Sequence, residues 1–274
     1  MPIRLLLIEP HDSYLQISLI DRGAIYAHLA NIVTTTPITS LYSQQTDDKL
    51  IESTIKSSTK YAILSHKWLR ENPGEITYDH WNQGSLDPES AGYQKLANFC
   101  RIAWKDYGVT LAWMDTICIN KDSSSELDES IRSMYAWYKR AEICIVYLSE
   151  SQHITQIPHD SWFTRGWTLQ ELLAPRAFKF YSSEWIRLVL DGDNDKRNYS
   201  VLESIEEATN ISISQFEKVS STSFSCRMQW AASREVTREE DMAYALMGIF
   251  DVSISISYGE GADRAFLRLL EEIM

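Results

Sequence analysis

The sequence predicts an α/β fold in which a parallel sheet is flanked by helices. Three observations carry that reading. Four short apolar runs, Tyr61 to Leu64, Val109 to Ile119, Ile143 to Leu148 and Ala177 to Tyr181, are separated by helical patterns, and strands that alternate with helices build a parallel sheet. The third run, I-C-I-V-Y-L, is almost wholly apolar, as expected of a strand buried on both faces. Between the first two runs, Tyr93, Leu96, Phe99, Cys100, Ala103 and Tyr107 recur at the spacing of an amphipathic helix.

Taken in order, residues 1–60 read as an elaboration around this core. Ile3 to Ile8 makes a short strand, and a polar Thr- and Ser-rich passage runs from Thr34 to Thr59. The isolated His11 and His28 read as surface or packing side chains. The core, 61–190, opens on Y-A-I-L-S-H-K-W, a strand that turns polar at Ser65, His66 and Lys67. Polar groups at the carboxyl end of a buried strand are where open α/β sheets bind ligands. The alternative is that Ser65 and His66 cap the following turn.

Pro73, Gly74, Gly84 and Pro88 make Glu71 to Ser90 a loop, and Gly108 closes the helix that follows it. Asp115 stands inside the apolar second strand, Val109 to Ile119, where a carboxylate must be paired or must face a cleft at the strand's end. Ser123 and Glu126 form a capping box that opens a helix through Ala141. Residues 191–274 form a helical C-terminal part. It holds a charged turn from Asp191 to Asn198, a helix over Val201 to Ala208 and a Ser-rich loop from Lys218 to Ser225. A Thr237–Glu240 capping box then opens a helix through Met242, Leu246 and Ile249. A turn at Tyr258 to Gly261 precedes a last helix, Ala262 to Met274.

Composition narrows the function. A chain of 274 residues can bury a sizeable core, and its net charge of −12 argues against a general nucleic-acid binder, which needs a basic face. Cys100, Cys118, Cys144 and Cys226 lie far apart with no CxxC pair, so they read as reduced thiols of a cytoplasmic protein. No metal-ligand spacing occurs. No G-x-G-x-x-G follows a strand, which argues against a redox dinucleotide site. No apolar run reaches the ~18 residues of a membrane helix, and Met1 to Glu9 lacks the features of a signal peptide.

The segment Ser161 to Pro175, S-W-F-T-R-G-W-T-L-Q-E-L-L-A-P, is the most unusual in the chain. On a helix, Leu169, Leu172 and Leu173 share one side, while Trp167 and Glu171, four apart, share another. A tryptophan beside a carboxylate and opposite a leucine stripe makes a wall on which a flat ligand can stack. The plainer alternative is a Trp packed under a loop beside a solvated Glu.

Five blocks together resemble the fungal heterokaryon-incompatibility (HET) domain. They are Y-A-I-L-S-H-K-W (61–68), W-M-D-T-I-C-I-N-K (113–121), the segment 161–175, R-M-Q-W-A-A-S-R-E-V-T-R-E-E-D-M-A-Y-A-L-M-G-I-F-D-V (227–252) and Y-G-E-G (258–261). The resemblance covers the chain from about Tyr61 onward. It departs at Asn120, where the family usually has an acid, and at Lys67, where Thr or Arg is common. It implies a cell-death effector in non-self recognition, with a receptor of the NLR type as a partner or fusion. The HET domain is in turn similar to TIR domains, which implies a TIR-like, flavodoxin-like sheet. TIR enzymes cleave NAD+ with a Glu that follows a Trp by four residues, the spacing of Trp167 and Glu171.

The resemblance thus implies a homo-oligomer that, on activation, hydrolyses NAD+ to nicotinamide and ADP-ribose, with NAD+ as substrate and no cofactor. Glu171 is the candidate catalytic carboxylate. Trp167 is the candidate stacking side chain, and Ser65, His66, Lys67 and Trp68 are expected near the same sheet edge. Lys67 or Arg165 would neutralise a pyrophosphate, and Asp115 would hold a ribose hydroxyl. The competing reading is a non-enzymatic self-association module in which Trp167 anchors an interface.

Overall fold

The computed structural model describes residues 1–35, 44–69 and 74–274. The expected polar passage from Thr34 to Thr59 and the expected loop from Glu71 to Ser90 therefore lie partly outside the described residues.

Two antiparallel strands, β1 (Arg4–Pro10) and β2 (Leu15–Asp21), come first, followed by helices α1 (Arg22–Thr35) and α2 (Gln44–Ser58). The core then runs β3 (Tyr61–His66), α3 (Tyr78–Asn82), α4 (Ala91–Tyr107), β4 (Leu111–Trp113), α5 (Asp115–Cys118), α6 (Ser124–Arg140), β5 (Ile143–Tyr147), α7 (Gly166–Leu173) and β6 (Phe178–Tyr181). The C-terminal part is helical: α8 (Tyr199–Thr209), α9 (Ile213–Glu217), α10 (Phe224–Ala231), α11 (Asp241–Tyr244), α12 (Met247–Phe250) and α13 (Ala262–Ile273).

The six strands form one sheet in the order β2-β1-β4-β3-β5-β6. From β4 to β6 all pairings are parallel, as the alternating pattern predicts. Counted from Tyr61, the parallel strands lie in the order second, first, third, fourth, the doubly wound arrangement. The chain reverses direction between β3 and β5, and the carboxyl ends of those strands flank the crevice where such sheets take ligands. Every residue of β3 is buried, Ser65 and His66 included, so neither is a cap on a solvent-exposed turn.

The N-terminal elaboration extends the core sheet: β1 pairs antiparallel with β4, matching Leu6 with Ala112, and so covers what would be an open edge of β4. Three expectations change. The second strand is far shorter than Val109 to Ile119, because the chain turns helical at Asp115. The loop after Gly74 contains α3, which Thr77 caps through the backbone N–H of His80. The Thr237–Glu240 capping box does not form. Glu240 instead accepts backbone N–H groups of Gly259 at 2.6 Å and Gly261 at 3.2 Å, and two short helices, α11 and α12, replace one long one.

At the start of α6, Ser123 does cap the Glu126 N–H at 3.4 Å. The Glu126 carboxylate, however, turns to Arg4 and to the Asn120 N–H, which ties the N-terminal hairpin to the core. Gly108 ends α4 with a left-handed φ of 63°, a conformation that glycine adopts without strain.

Candidate functional site

The site builds outward from Ser65 on β3. Its hydroxyl donates to Glu171 Oε2 at 2.5 Å and accepts from Trp162 Nε1 at 2.9 Å. Trp162 and Glu171 reach the same hydroxyl because a single helical turn over Ser161–Thr164 leads directly into α7. Glu171 is only 9% exposed. Burial is the main cause that raises its pKa, to about 7, with the Ser65 hydrogen bond pulling the other way, Asp115 adding to the rise and Arg165 opposing it. Tyr138, whose hydroxyl donates to Leu64 O at 2.9 Å, lies against the same carboxylate, and burial pushes its own pKa well up. A buried carboxyl that titrates near neutrality is equipped to hold developing positive charge and to exchange a proton.

Side chains alternate along a strand, so His66 faces away from Ser65 toward α4. It is 3% exposed, and neither ring nitrogen has a hydrogen-bond partner among the described residues. Its Nε2 lies 3.7 Å from Glu75 Oε1 and 3.8 Å from Asp115 Oδ1. Burial first, then the charges of Lys95, Arg165 and Lys121, hold its pKa well below the usual histidine value, so the ring is neutral.

Glu75 is held by Lys95 Nζ and by the Leu69 N–H at 2.9 Å, while its Oε2 has no partner among the described residues. Burial raises the pKa of Glu75 and lowers that of Lys95, and each opposes the shift of the other. Asp115 sits just past the end of β4. It is both paired and at the strand's end, accepting from Trp68 Nε1 at 2.8 Å, and Lys121 Nζ lies 3.5 Å from the centre of the Trp68 ring.

Arg165 joins the two sides. Its Nη1 donates to His66 O at 2.8 Å, and its charge acts on both His66 and Glu171. The segment 234–236 fixes it from behind: Gly166 N donates to Glu235 O at 2.8 Å and Glu235 N to Thr164 O at 2.6 Å. A Cβ at Gly166 would lie 2.5 Å from Val236 Cγ1, so a larger residue there must push the Val236 side chain aside.

The structure therefore brings together Ser65, His66, Trp68, Asp115, Arg165 and Glu171. It directs two predicted residues elsewhere. Lys67 pairs with Glu150 at 2.8 Å and Ser161 Oγ at 2.7 Å, and the Lys67 hydrogen bond is the largest cause that takes Glu150 down to about 2, so this cation is already neutralised. Trp167 is half-buried, and its Nε1 donates to Asp241 Oδ2 at 3.0 Å while Tyr258 donates to Oδ1 of the same carboxylate. Trp167 and Glu171 do not form one open wall, and Glu171 is not the solvated residue of the plainer alternative. Trp167 instead binds α7 to α11 and the Y-G-E-G turn.

Sequence reading missed Glu75 and Lys95, which meet the site only through the fold. It also missed Arg234, although it lies inside the fourth block. Arg234 is buried, with Nη1 donating to Arg165 O at 2.8 Å and Thr168 Oγ1 at 3.0 Å. Burial lowers its pKa to about 10, and Glu171 opposes that shift. Among the described residues no group of His, Cys, Asp and Glu side chains could hold a metal ion. The four cysteines are free, and burial raises the thiols of Cys100, Cys118 and Cys144, leaving them poor nucleophiles. No helix among the described residues is long and apolar enough to cross a membrane.

The fold is an α/β domain with a doubly wound parallel core and a buried carboxylate at its switch point. Residues 61–159 match the family model of the heterokaryon incompatibility protein (HET). The vegetative incompatibility protein HET-E-1 of Podospora anserina is 39% identical over 229 residues, taking in 78% of this chain and 16% of that protein. The chain carries a heterokaryon-incompatibility domain. It thus spans about one sixth of the length of the curated relative it matches. No solved structure matches it.

Proposed function

We propose that this chain is an effector domain of fungal heterokaryon incompatibility that hydrolyses NAD+ to nicotinamide and ADP-ribose and thereby triggers cell death. The observation that carries the reading is Glu171: a buried carboxylate at the switch point, bonded to Ser65 at 2.5 Å and titrating near neutrality. In the reaction the bond between the nicotinamide nitrogen and ribose C1′ breaks, and its electron pair leaves with nicotinamide. The positive charge that develops on the ribose is stabilised by ionised Glu171. A water oxygen then bonds to C1′, and its proton passes to Glu171 and on to solvent. Nicotinamide departs from a cationic ring as a neutral molecule, so one carboxylate suffices.

The deciding experiment incubates concentrated purified protein with NAD+ and follows nicotinamide release. Concentration matters because a TIR-like site is completed by self-association, here a homo-oligomer or a larger receptor of the NLR type to which the domain is fused. Release by the wild type and its loss in Glu171→Gln are expected. No release at any concentration, with cell killing retained by Glu171→Gln, would sink the enzymatic reading.

One observation favours a second reading, a non-enzymatic docking module. A largely apolar groove that does not include Glu171 lies between α11 and α13, lined by Met242, Ala262, Asp263, Phe266, Leu267 and Leu270. Leu267 is an exposed large apolar side chain there. Cell killing by Glu171→Gln together with its loss in Leu267→Glu would select this reading.

A further inference from the structure

The unpaired nitrogen of His66 points at a place for a ligand. A buried polar group without a partner is costly and calls for an explanation. His66 Nε2, Glu75 Oε1 and Asp115 Oδ1 are too far apart for direct hydrogen bonds, at 3.7 and 3.8 Å from the nitrogen. They are close enough for one hydroxyl oxygen to bond two of them at ordinary distances. Glu75 Oε2, also without a partner among the described residues, offers an acceptor to a second hydroxyl.

The charges around this point discriminate among ligands. Lys95 already neutralises Glu75, and the charges of Lys121 and Arg165 also act on the ring. A neutral His between two acceptors and three cations suits a neutral hydroxyl pair attached to a phosphate, and suits a metal ion poorly. Toward solvent the cluster ends at Asp115, whose side chain is 22% exposed, and at Trp68, which is 39% exposed.

We propose that His66, Glu75 and Asp115 form a subsite for the diol of a nucleotide ribose, namely the adenosine ribose of the dinucleotide. This inference rests on the NAD+ reading of the same sheet edge. Ser65 and His66 project to opposite faces of β3, so one ribose cannot lie against both Glu171 and His66. A dinucleotide carries two riboses joined by a pyrophosphate. Laid across the end of β3, it places the nicotinamide ribose at Glu171, the adenosine ribose at His66 and the pyrophosphate at Arg165, whose guanidinium lies between them on His66 O.

The test is a calorimetric titration of the full chain with AMP and with 2′-deoxy-AMP, neither of which carries the nicotinamide–ribose bond that the proposed reaction breaks. The wild type is expected to bind AMP about tenfold more tightly, the equivalent of roughly one hydrogen bond to a charged group. Asp115→Asn, at a partly exposed position, and His66→Asn are each expected to bring the two affinities together. Equal affinities in the wild type, no binding of either probe, or a preference that survives in Asp115→Asn would overturn the subsite. Nicotinamide release reports on the cleavage reading independently. Release without AMP discrimination would remove the subsite alone, and discrimination without release would remove the cleavage alone.

Discussion

Two buried polar clusters border the same sheet and differ in one respect. On β6, Lys179 and Asp195 form an ion pair at 2.7 Å with both side chains fully buried. Every group of that pair is bonded: Lys179 Nζ also donates to Gly192 O at 3.0 Å and Asp191 O at 3.3 Å, and Asp195 Oδ2 accepts the Phe180 N–H at 2.8 Å. At the carboxyl end of β3, by contrast, both nitrogens of His66, Glu75 Oε2 and Arg234 Nη2 have no partner among the described residues. Full satisfaction marks a structural clasp that fixes loop 191–195 on the sheet edge. On the proposed reading, the unsatisfied groups of His66 and Glu75 are the ones that a ligand would bond.

The contrast can be broken by substitution. Asp195→Ala leaves Lys179 buried without its counter-charge and is expected to cost about 3–5 kcal/mol in urea unfolding, while folded molecules release nicotinamide at the wild-type rate. A loss of activity per folded molecule would blur the division between clasp and site.

Glu171→Gln should act in the opposite direction on stability. Because the folded pKa of Glu171 is raised, its ionisation costs nothing below the unfolded value near 4.5, costs more as pH climbs to about 7 and then stays constant. The glutamine variant has no such cost. It is expected to gain stability relative to wild type across that window, up to a ceiling of about 3 kcal/mol at pH 8, with release abolished. Melting curves at pH 5 and pH 8 check this, and an equal difference at both would contradict the raised pKa.

Two smaller effects sharpen the account. Gly166→Ala drives a methyl into Val236 and should cost about 1–3 kcal/mol by chemical denaturation. It should also lower nicotinamide release, because the same contact positions Arg165 and α7. Ser65→Ala removes the bonds to Glu171 and Trp162, and a destabilisation of about 1 kcal/mol is expected.

The parallel core was legible because its strands and helices carry opposite periodicities, and the position of Ser65 and His66 at a strand end followed from one switch from apolar to polar residues. The apolar run from Val109 to Ile119 concealed its break at Asp115, since a short helical turn buried on all sides looks like strand in composition. The Thr237–Glu240 box failed for a tertiary reason: two backbone N–H groups of the Y-G-E-G turn compete for the Glu240 carboxylate. Spacing placed Trp167 and Glu171 correctly on one helix. It could not show that α7 is enclosed, so that Asp241 takes one side chain and Ser65 the other. Glu75 and Lys95 gave no local signal because their pairing with each other, beside His66, exists only after β3 and α4 have packed.

The pH dependence of nicotinamide release tests the central claim, that Glu171 is the working carboxylate, most directly. The wild type should show a rising limb with its midpoint near pH 7, where Glu171 ionises. In Ser65→Ala that midpoint should move upward, because the hydrogen bond that favours the ionised form is gone. A profile flat from about pH 5 to 9, or a limb that Ser65→Ala leaves in place, would contradict it.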